Sequence, residues 1–181
     1  MAPFIVRRST GESIWKIGTG NPGMDNVMAN IGKKEGILVL LGDILKTLLG
    51  LALAFALFGK ELGRETLYWS GFGCILGHNF LFWTKGKDRK GVTVTCTWLI
   101  LLMPIRGTAF CILGGVVTVL TGYLPLEAVL IPAIALPFAA WKLGTEAVVF
   151  IALGEFVMLS RHYRDIARIF CGEEVCKFRG N

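Results

Sequence analysis

The feature that most constrains the fold is an almost uninterrupted apolar run from about residue 36 to residue 59. A helix of about 24 residues is long enough to cross the hydrocarbon core of a bilayer. Five further apolar segments follow, at about residues 66–84, 91–105, 108–124, 128–141 and 146–160. The pattern predicts an all-α, polytopic integral membrane bundle of about six spans. Several segments are shorter than about 20 residues, so their ends should be polar or the bundle thin.

The composition agrees with a membrane protein. Hydrophobic residues make up 54% of the 181 residues and charged residues only 18%, and the mean hydropathy is +0.61. These values are too apolar for a soluble domain. The formal net charge is +6, which suggests loops that face anionic lipid or an anionic substrate. The sequence contains no nucleic-acid-binding motif, so we expect the lipid bilayer and no nucleic acid among its partners.

Charge also predicts the organisation and orientation of the chain, which we interpret as one membrane domain, 1–181. The basic residues concentrate in the segment before the first span, in residues 85–90 and after residue 160. With six spans these three regions share one face, and the positive-inside rule places that face in the cytosol. We therefore expect a cytoplasmic segment at 1–35, spans within 36–160, a cytoplasmic basic tail at 161–181, and both termini inside.

A glycine-rich stretch, Gly18 to Gly23, lies in the N-terminal segment. Glycine allows backbone N–H groups to converge into concave nests that bind anions, above all phosphate. A helix starting near Gly36 would direct its free N–H groups and the positive end of its dipole towards this loop. A flexible interfacial turn is the alternative interpretation of the same residues.

Polar residues within the spans are few. Asp43 and Lys46 stand three residues apart on one helix face, either as a structural clamp, which we favour, or as part of a polar site. His78, near the end of the second span, is expected to have a packing or helix-capping role. Pro132 and Pro137 should kink the fifth span.

Cysteine spacing gives no reason to expect a metal. Three of the five cysteines lie in apolar segments, where cysteine behaves as a small hydrophobe. Cys171 and Cys176 have neither a histidine nor a third cysteine at zinc spacing. We expect neither a metal site nor a cofactor.

Four short motifs, in order along nearly the whole chain, resemble those of the bacterial acyl-phosphate:glycerol-3-phosphate acyltransferases. They are Gly18-Thr19-Gly20-Asn21-Pro22-Gly23 through Asn26, Asp43-x-x-Lys46, Gly77-His78 followed by Lys87-x-x-Lys90-Gly91, and Arg161-His162-x-Arg164-Asp165. The resemblance implies a bacterial plasma-membrane enzyme that moves a fatty acyl group from acyl phosphate to glycerol 3-phosphate, giving lysophosphatidic acid for phospholipid synthesis. It does not indicate an oligomeric state.

The resemblance also implies site residues. Residues of the glycine-rich loop would bind phosphate together with a lysine of the basic turn: Thr19, Gly20, Asn21, Gly23, Asn26 and Lys87. Lys90 would neutralise phosphate charge, and His162 would hydrogen-bond phosphate or the glycerol hydroxyl. Interfacial anchoring by the two lysines and a solvated tail position for His162 are the alternatives.

The sequence departs from the family pattern at several positions. The family has serine at Thr19, threonine at Asp25, arginine at Ala29, two glycines at Asp88-Arg89, serine at Pro125 and asparagine at Asp165. The span that precedes the family's glycine loop also has no counterpart here. A catalytically silent membrane paralogue, which binds lipid or pairs with an active homologue, is therefore the competing hypothesis, and an anion transporter is a distant third.

Overall fold

The computed structural model describes residues 1–80 and 90–172, and every regular element within those residues is a helix. The α-helices are α1 (Ala2–Thr10), α2 (Met24–Asn30), α3 (Lys33–Leu62), α4 (Glu65–Asn79), α5 (Val92–Leu102), α6 (Pro104–Thr121), α7 (Leu124–Lys142) and α8 (Thr145–Phe170). A short 3-10 helix, Ile14–Lys16, lies between α1 and α2. The prediction of an all-α bundle is confirmed.

Helices α3 to α8 coincide with the six apolar segments of the sequence. Within the described residues, α3, α6 and α7 are each long and apolar enough to cross a membrane, and α5 is apolar but shorter. Helix α8 joins the sixth segment and the start of the basic tail, up to Phe170, into one helix of 26 residues.

Several predicted boundaries were wrong. Helix α4 ends at Asn79 and Phe80 is already non-helical, so this helix ends before the predicted end of the second segment, which lies outside the described residues. Pro125 to Glu127 fall between the predicted fourth and fifth segments, 108–124 and 128–141, as a connector would, but they belong to the first turn of α7. Proline is well tolerated there because the N–H it lacks would have no partner. Helix α3 begins at Lys33 rather than Gly36, and α2 lies between the loop and α3.

Close helix approach builds the main core around Trp98 of α5. The Trp98 indole N–H donates to the backbone carbonyl of Leu67 in α4 at 2.8 Å. Its ring occupies the space next to Gly71, where the Cβ of any larger residue would lie only 1.9 Å from Nε1. Ile75 of α4 and Ile151 of α8 complete this cluster. The absence of a side chain at residue 71 therefore sets the distance between α4 and α5.

A second, smaller cluster holds the N-terminal segment against α3. It consists of buried apolar residues from α1, the 3-10 helix, α2 and α3: Ala2, Val6, Ile14, Val27 and Val39. Helix α1 has 9 residues, about half of what a membrane span needs. This packing fixes the glycine-rich loop, residues 18–23, beside the cytoplasmic end predicted for α3.

Candidate active site

The glycine-rich loop is held together by the side chain of Asn26, which is 6% exposed. Its carboxamide oxygen accepts the Thr19 N–H at 3.0 Å, and its amide nitrogen donates to the carbonyls of Ile17 and Asn21, both at 2.9 Å. Asn30 also donates to the Asn26 oxygen at 2.9 Å. Asn26 therefore shapes the loop from behind rather than facing a ligand with a free amide.

The loop needs glycine at position 18 for two reasons. Its φ is +55°, in the left-handed region, and a Cβ there would lie 2.3 Å from the Asn26 carboxamide oxygen. Gly20 has a φ of +71°. At the end of the loop, the Asn21 side-chain oxygen accepts the Gly23 N–H at 3.1 Å, so the turn into α2 is fixed as well.

A cavity of about 90 Å³ opens beside this loop. Its walls come from the loop, the start of α2, α3, the end of α4, the segment leading into α5 and the start of α7. The lining residues are Asn21, Pro22, Gly23, Met24, Asp25, Asp43, His78, Lys90, Gly91, Val92, Thr93, Leu124 and Glu127. Segments that are distant in the sequence thus meet around one small cavity lined by both polar and apolar residues.

Lys90 is the described lysine on the cavity wall, and it is anchored from α8. Its ammonium lies 2.5 Å from Oδ2 of Asp165, and the side chain is 25% exposed. The other carboxylate oxygen of Asp165 accepts from Arg168 at 2.7 Å. Asp165 itself is buried, with 9% of its side chain exposed. The carboxylate therefore bridges two cations, one at the cavity and one at the surface.

His162 lies directly beneath this ion pair and is 0% exposed. Its Nδ1 is 3.6 Å from Oδ2 of Asp165, beyond hydrogen-bonding distance. Neither ring nitrogen has a hydrogen-bond partner in the part of the chain that the structure describes. Burial, together with the nearby Lys90 ammonium, lowers the pKa of His162 to about 4, although Asp165 acts in the opposite direction. The imidazole is accordingly neutral at physiological pH.

Asp43, Lys46 and His78 form a second polar group, and Asp43 and His78 are on the cavity wall. The Lys46 ammonium donates to Oδ1 of Asp43 at 2.7 Å and lies 2.6 Å from Nδ1 of His78. An ammonium can only donate, so Nδ1 of His78 is the acceptor and the neutral ring carries its proton on Nε2. The predicted Asp43–Lys46 pair is therefore present, and it also orients a histidine on the cavity wall.

The structure distributes the predicted site residues over three positions. Asn21, Gly23 and Lys90 line the cavity, whereas Thr19, Gly20 and Asn26 build the loop around it. His162 is buried behind Lys90, away from the wall. Lys87 belongs to residues 81–89, which lie outside the described residues. The roles assigned to these residues stay predictions.

Sequence reasoning gave too little weight to several residues of the cavity wall. His78 was expected to pack or cap a helix, and Glu127 was placed in a connector, yet both line the cavity. Glu127 also accepts the Thr118 hydroxyl at 2.6 Å. The available signal was topological, because in a bundle of six spans the start of the fifth span lies on the same face as the segment that precedes the first.

Comparison with known proteins agrees with the fold and the motifs. The family model for glycerol-3-phosphate acyltransferase matches residues 1–172. Glycerol-3-phosphate acyltransferase 1 of Lactobacillus johnsonii is 31% identical over 159 residues, covering 87% of this chain and 76% of that protein. The glycerol-3-phosphate acyltransferase of Agrobacterium fabrum is 34% identical over 176 residues, covering 95% and 83% respectively.

Two solved structures share the fold. Both are crystal structures of PlsY, an integral membrane glycerol 3-phosphate acyltransferase. The glycerol 3-phosphate form superposes with a TM-score of 0.83 at 22% identity, covering 96% of this chain and 88% of that one. The lysophosphatidic acid form gives 0.79 at 24% identity, covering 97% and 91%. The similarity extends over the whole bundle, including the helices that form the cavity. On the strength of the family match and the two relatives, this chain belongs to the glycerol-3-phosphate acyltransferase family.

Proposed function

We propose that this protein is a multi-pass enzyme of the bacterial plasma membrane that moves a fatty acyl group from acyl phosphate to glycerol 3-phosphate. The product is lysophosphatidic acid. The observation that carries the proposal is the cavity that the glycine-rich loop, through Asn21 and Gly23, lines together with Lys90. The loop and the lysine come from distant parts of the sequence, and both belong to motifs of the family.

This arrangement suits the chemistry of acyl phosphate. A mixed anhydride of a carboxylic and a phosphoric acid is already activated, so the protein need not supply a serine or cysteine nucleophile. It has to hold two phosphate groups close together and direct the glycerol hydroxyl at the acyl carbon. An ammonium on the cavity wall stabilises the phosphate charge, and loop N–H groups can orient its oxygens.

His162 supports this site indirectly. A neutral, buried imidazole next to Asp165 leaves that carboxylate to Lys90, because an imidazolium would compete for the same oxygen. The silent-paralogue hypothesis is not favoured, since the loop, its Asn26 scaffold and the lysine are all in place. We place the cavity at the cytoplasmic face, with both termini inside, on the basis of the lysine and arginine distribution.

The test is acyl transfer from acyl phosphate to labelled glycerol 3-phosphate by the purified, detergent-solubilised protein. Lys90→Ala should lower kcat/KM by about tenfold to a hundredfold, because a charge-assisted hydrogen bond contributes about 1.5–3 kcal/mol. Lys60→Ala is the matched control, because Lys60 is an exposed lysine at the far end of α3.

Two results would count against the proposal in different ways. If folded wild-type protein transfers no acyl group, the proposed activity is wrong. If the Lys90→Ala variant transfers the acyl group as fast as the wild type and the Lys60→Ala control do, the activity stands but the site has been placed wrongly.

A further inference from the structure

Asp165 contacts Lys90 across a sequence separation of 75 residues. One carboxylate oxygen, Oδ2, accepts from Lys90 and the other, Oδ1, accepts from Arg168. The carboxylate is buried behind the cavity wall and is absent from the lining. A carboxylate in this position cannot bind an anionic substrate, and no part of the proposed phosphate chemistry needs a negative charge there. Its contacts therefore require a different explanation.

The geometry of Lys90 supplies one. An ammonium has three N–H donors, and among the described residues Lys90 directs one of them, to Asp165. Lys90 is also one of the residues that line the cavity, so its remaining donors can serve a ligand there. A long, flexible lysine side chain loses rotamer entropy when it is fixed in one geometry. An ion pair formed before the substrate arrives removes part of that cost from the binding step.

We propose that Asp165 is a positioning residue that holds the Lys90 ammonium in its phosphate-binding orientation. This inference rests on the proposed function, because it assumes that Lys90 binds a phosphate group. Asp165 does not touch the substrate; it acts only through Lys90. The neutral state of His162, whose Nδ1 is 3.6 Å from the same oxygen, keeps the pair undisturbed.

The proposal makes a specific kinetic claim. Asp165→Ala should raise the KM for glycerol 3-phosphate or acyl phosphate by about tenfold, with a smaller change in kcat, since a loosened ammonium binds phosphate less often. Asp165→Asn keeps a side-chain oxygen as acceptor, so its KM should rise by only about threefold. Arg168→Ala is the matched control, because it removes the other ion pair of Asp165 but leaves Lys90 held; it should stay within about twofold.

A double-mutant cycle separates positioning from general structural support. In a Lys90→Ala background, Asp165→Ala should change kcat/KM by less than about twofold, because the group it positions is gone. A purely structural role would instead give the same loss in both backgrounds. Binding of glycerol 3-phosphate, measured by calorimetry on the same variants, should show the same non-additivity without depending on turnover.

The outcomes are distinguishable. If wild-type protein neither transfers nor binds glycerol 3-phosphate, the proposed function and this inference both fail. If it transfers or binds, and the losses from Asp165→Ala and Lys90→Ala add, only the positioning role is refuted. An Asp165→Ala variant with unaltered KM and unaltered binding would refute it as well.

Discussion

His162 shows how much a residue's surroundings decide its chemistry. In a solvated tail, a histidine would titrate near its ordinary pKa of 6.5, whereas full burial next to the Lys90 ammonium lowers the pKa to about 4. The neutral ring packs behind the cavity wall, and Asp165 lies between the two cations. His162 is therefore buried behind the cavity wall, and its contact with phosphate or the glycerol hydroxyl stays a prediction.

This burial should make the stability of the protein depend on pH. Above about 6.5 residue 162 is neutral in both folded and unfolded chains. Between about 6.5 and 4 the unfolded chain holds a proton that the folded state excludes, so lowering the pH through this window destabilises the fold. The gap between 6.5 and about 4 corresponds to roughly 3 kcal/mol of unfolding free energy.

Thermal unfolding in detergent at about pH 7 and about pH 5 measures the effect. The loss of thermal stability at the lower pH should be clearly smaller in His162→Gln than in the wild type, because glutamine does not titrate. Equal pH dependence in the two proteins would show that His162 is accessible to protons in the folded state, contrary to its burial.

At the level of the helices, the contact of α4 with α5 depends on one position without a side chain. Gly71→Ala would place a methyl carbon 1.9 Å from Nε1 of Trp98, whose N–H is already committed to the Leu67 carbonyl. Overpacking of this kind should destabilise the protein by about 1–3 kcal/mol. Gly73→Ala, two residues along the same helix, has nothing within 4 Å and should be neutral or stabilising by up to about 1 kcal/mol.

Thermal unfolding of the two variants in the same detergent gives the comparison directly. Gly71→Ala should lower the melting temperature, whereas Gly73→Ala should not. If both variants melt at the temperature of the wild type, α4 and α5 do not approach as closely as described.

Helix identity could be predicted from hydrophobic periodicity and length, but several helix ends could not. Pro125 marks a turn in the sequence, yet proline at the first turn also starts a helix, and the structure uses it that way in α7. The apolar side chains after Asn79 extend the hydrophobic run, but α4 has ended there. In both cases local composition is compatible with two conformations, and tertiary packing decides between them.

Over the whole molecule, charge distribution predicts which side of the membrane holds the cavity. Cys171 is exposed at the end of α8, on the face assigned to the cytosol. In a variant whose other cysteines are replaced by alanine, a membrane-impermeant maleimide should modify Cys171 only after the cells are opened. An added cysteine at exposed Arg64, in the α3–α4 connector, should be labelled on intact cells. The opposite labelling pattern would mean that the orientation is inverted.

The candidate site could be predicted in part, because motifs identify residues but not the contacts between them. Asn21, Gly23 and Lys90 were found from the glycine-rich loop and the basic turn, and they line the cavity. The pairing of Lys90 with Asp165 joins two elements far apart in sequence, and no local pattern encodes it. In the sequence, Asp165 is only a departure from the asparagine of the family motif. The structure explains the aspartate, because its carboxylate pairs with the Lys90 ammonium.

Helix α8 runs from Thr145 to Phe170 without a break. The same helix therefore carries Gly154, which packs in the core, and Asp165, which binds Lys90. Gly154 packs close to Ile75 and Trp98, and Asp165 lies about 16 Å further along the axis. A tilt of about 5° at Gly154 would move Asp165 by about 1.4 Å, enough to break a hydrogen bond. The inclination of α8 against the core therefore also determines the alignment of Lys90 at the cavity.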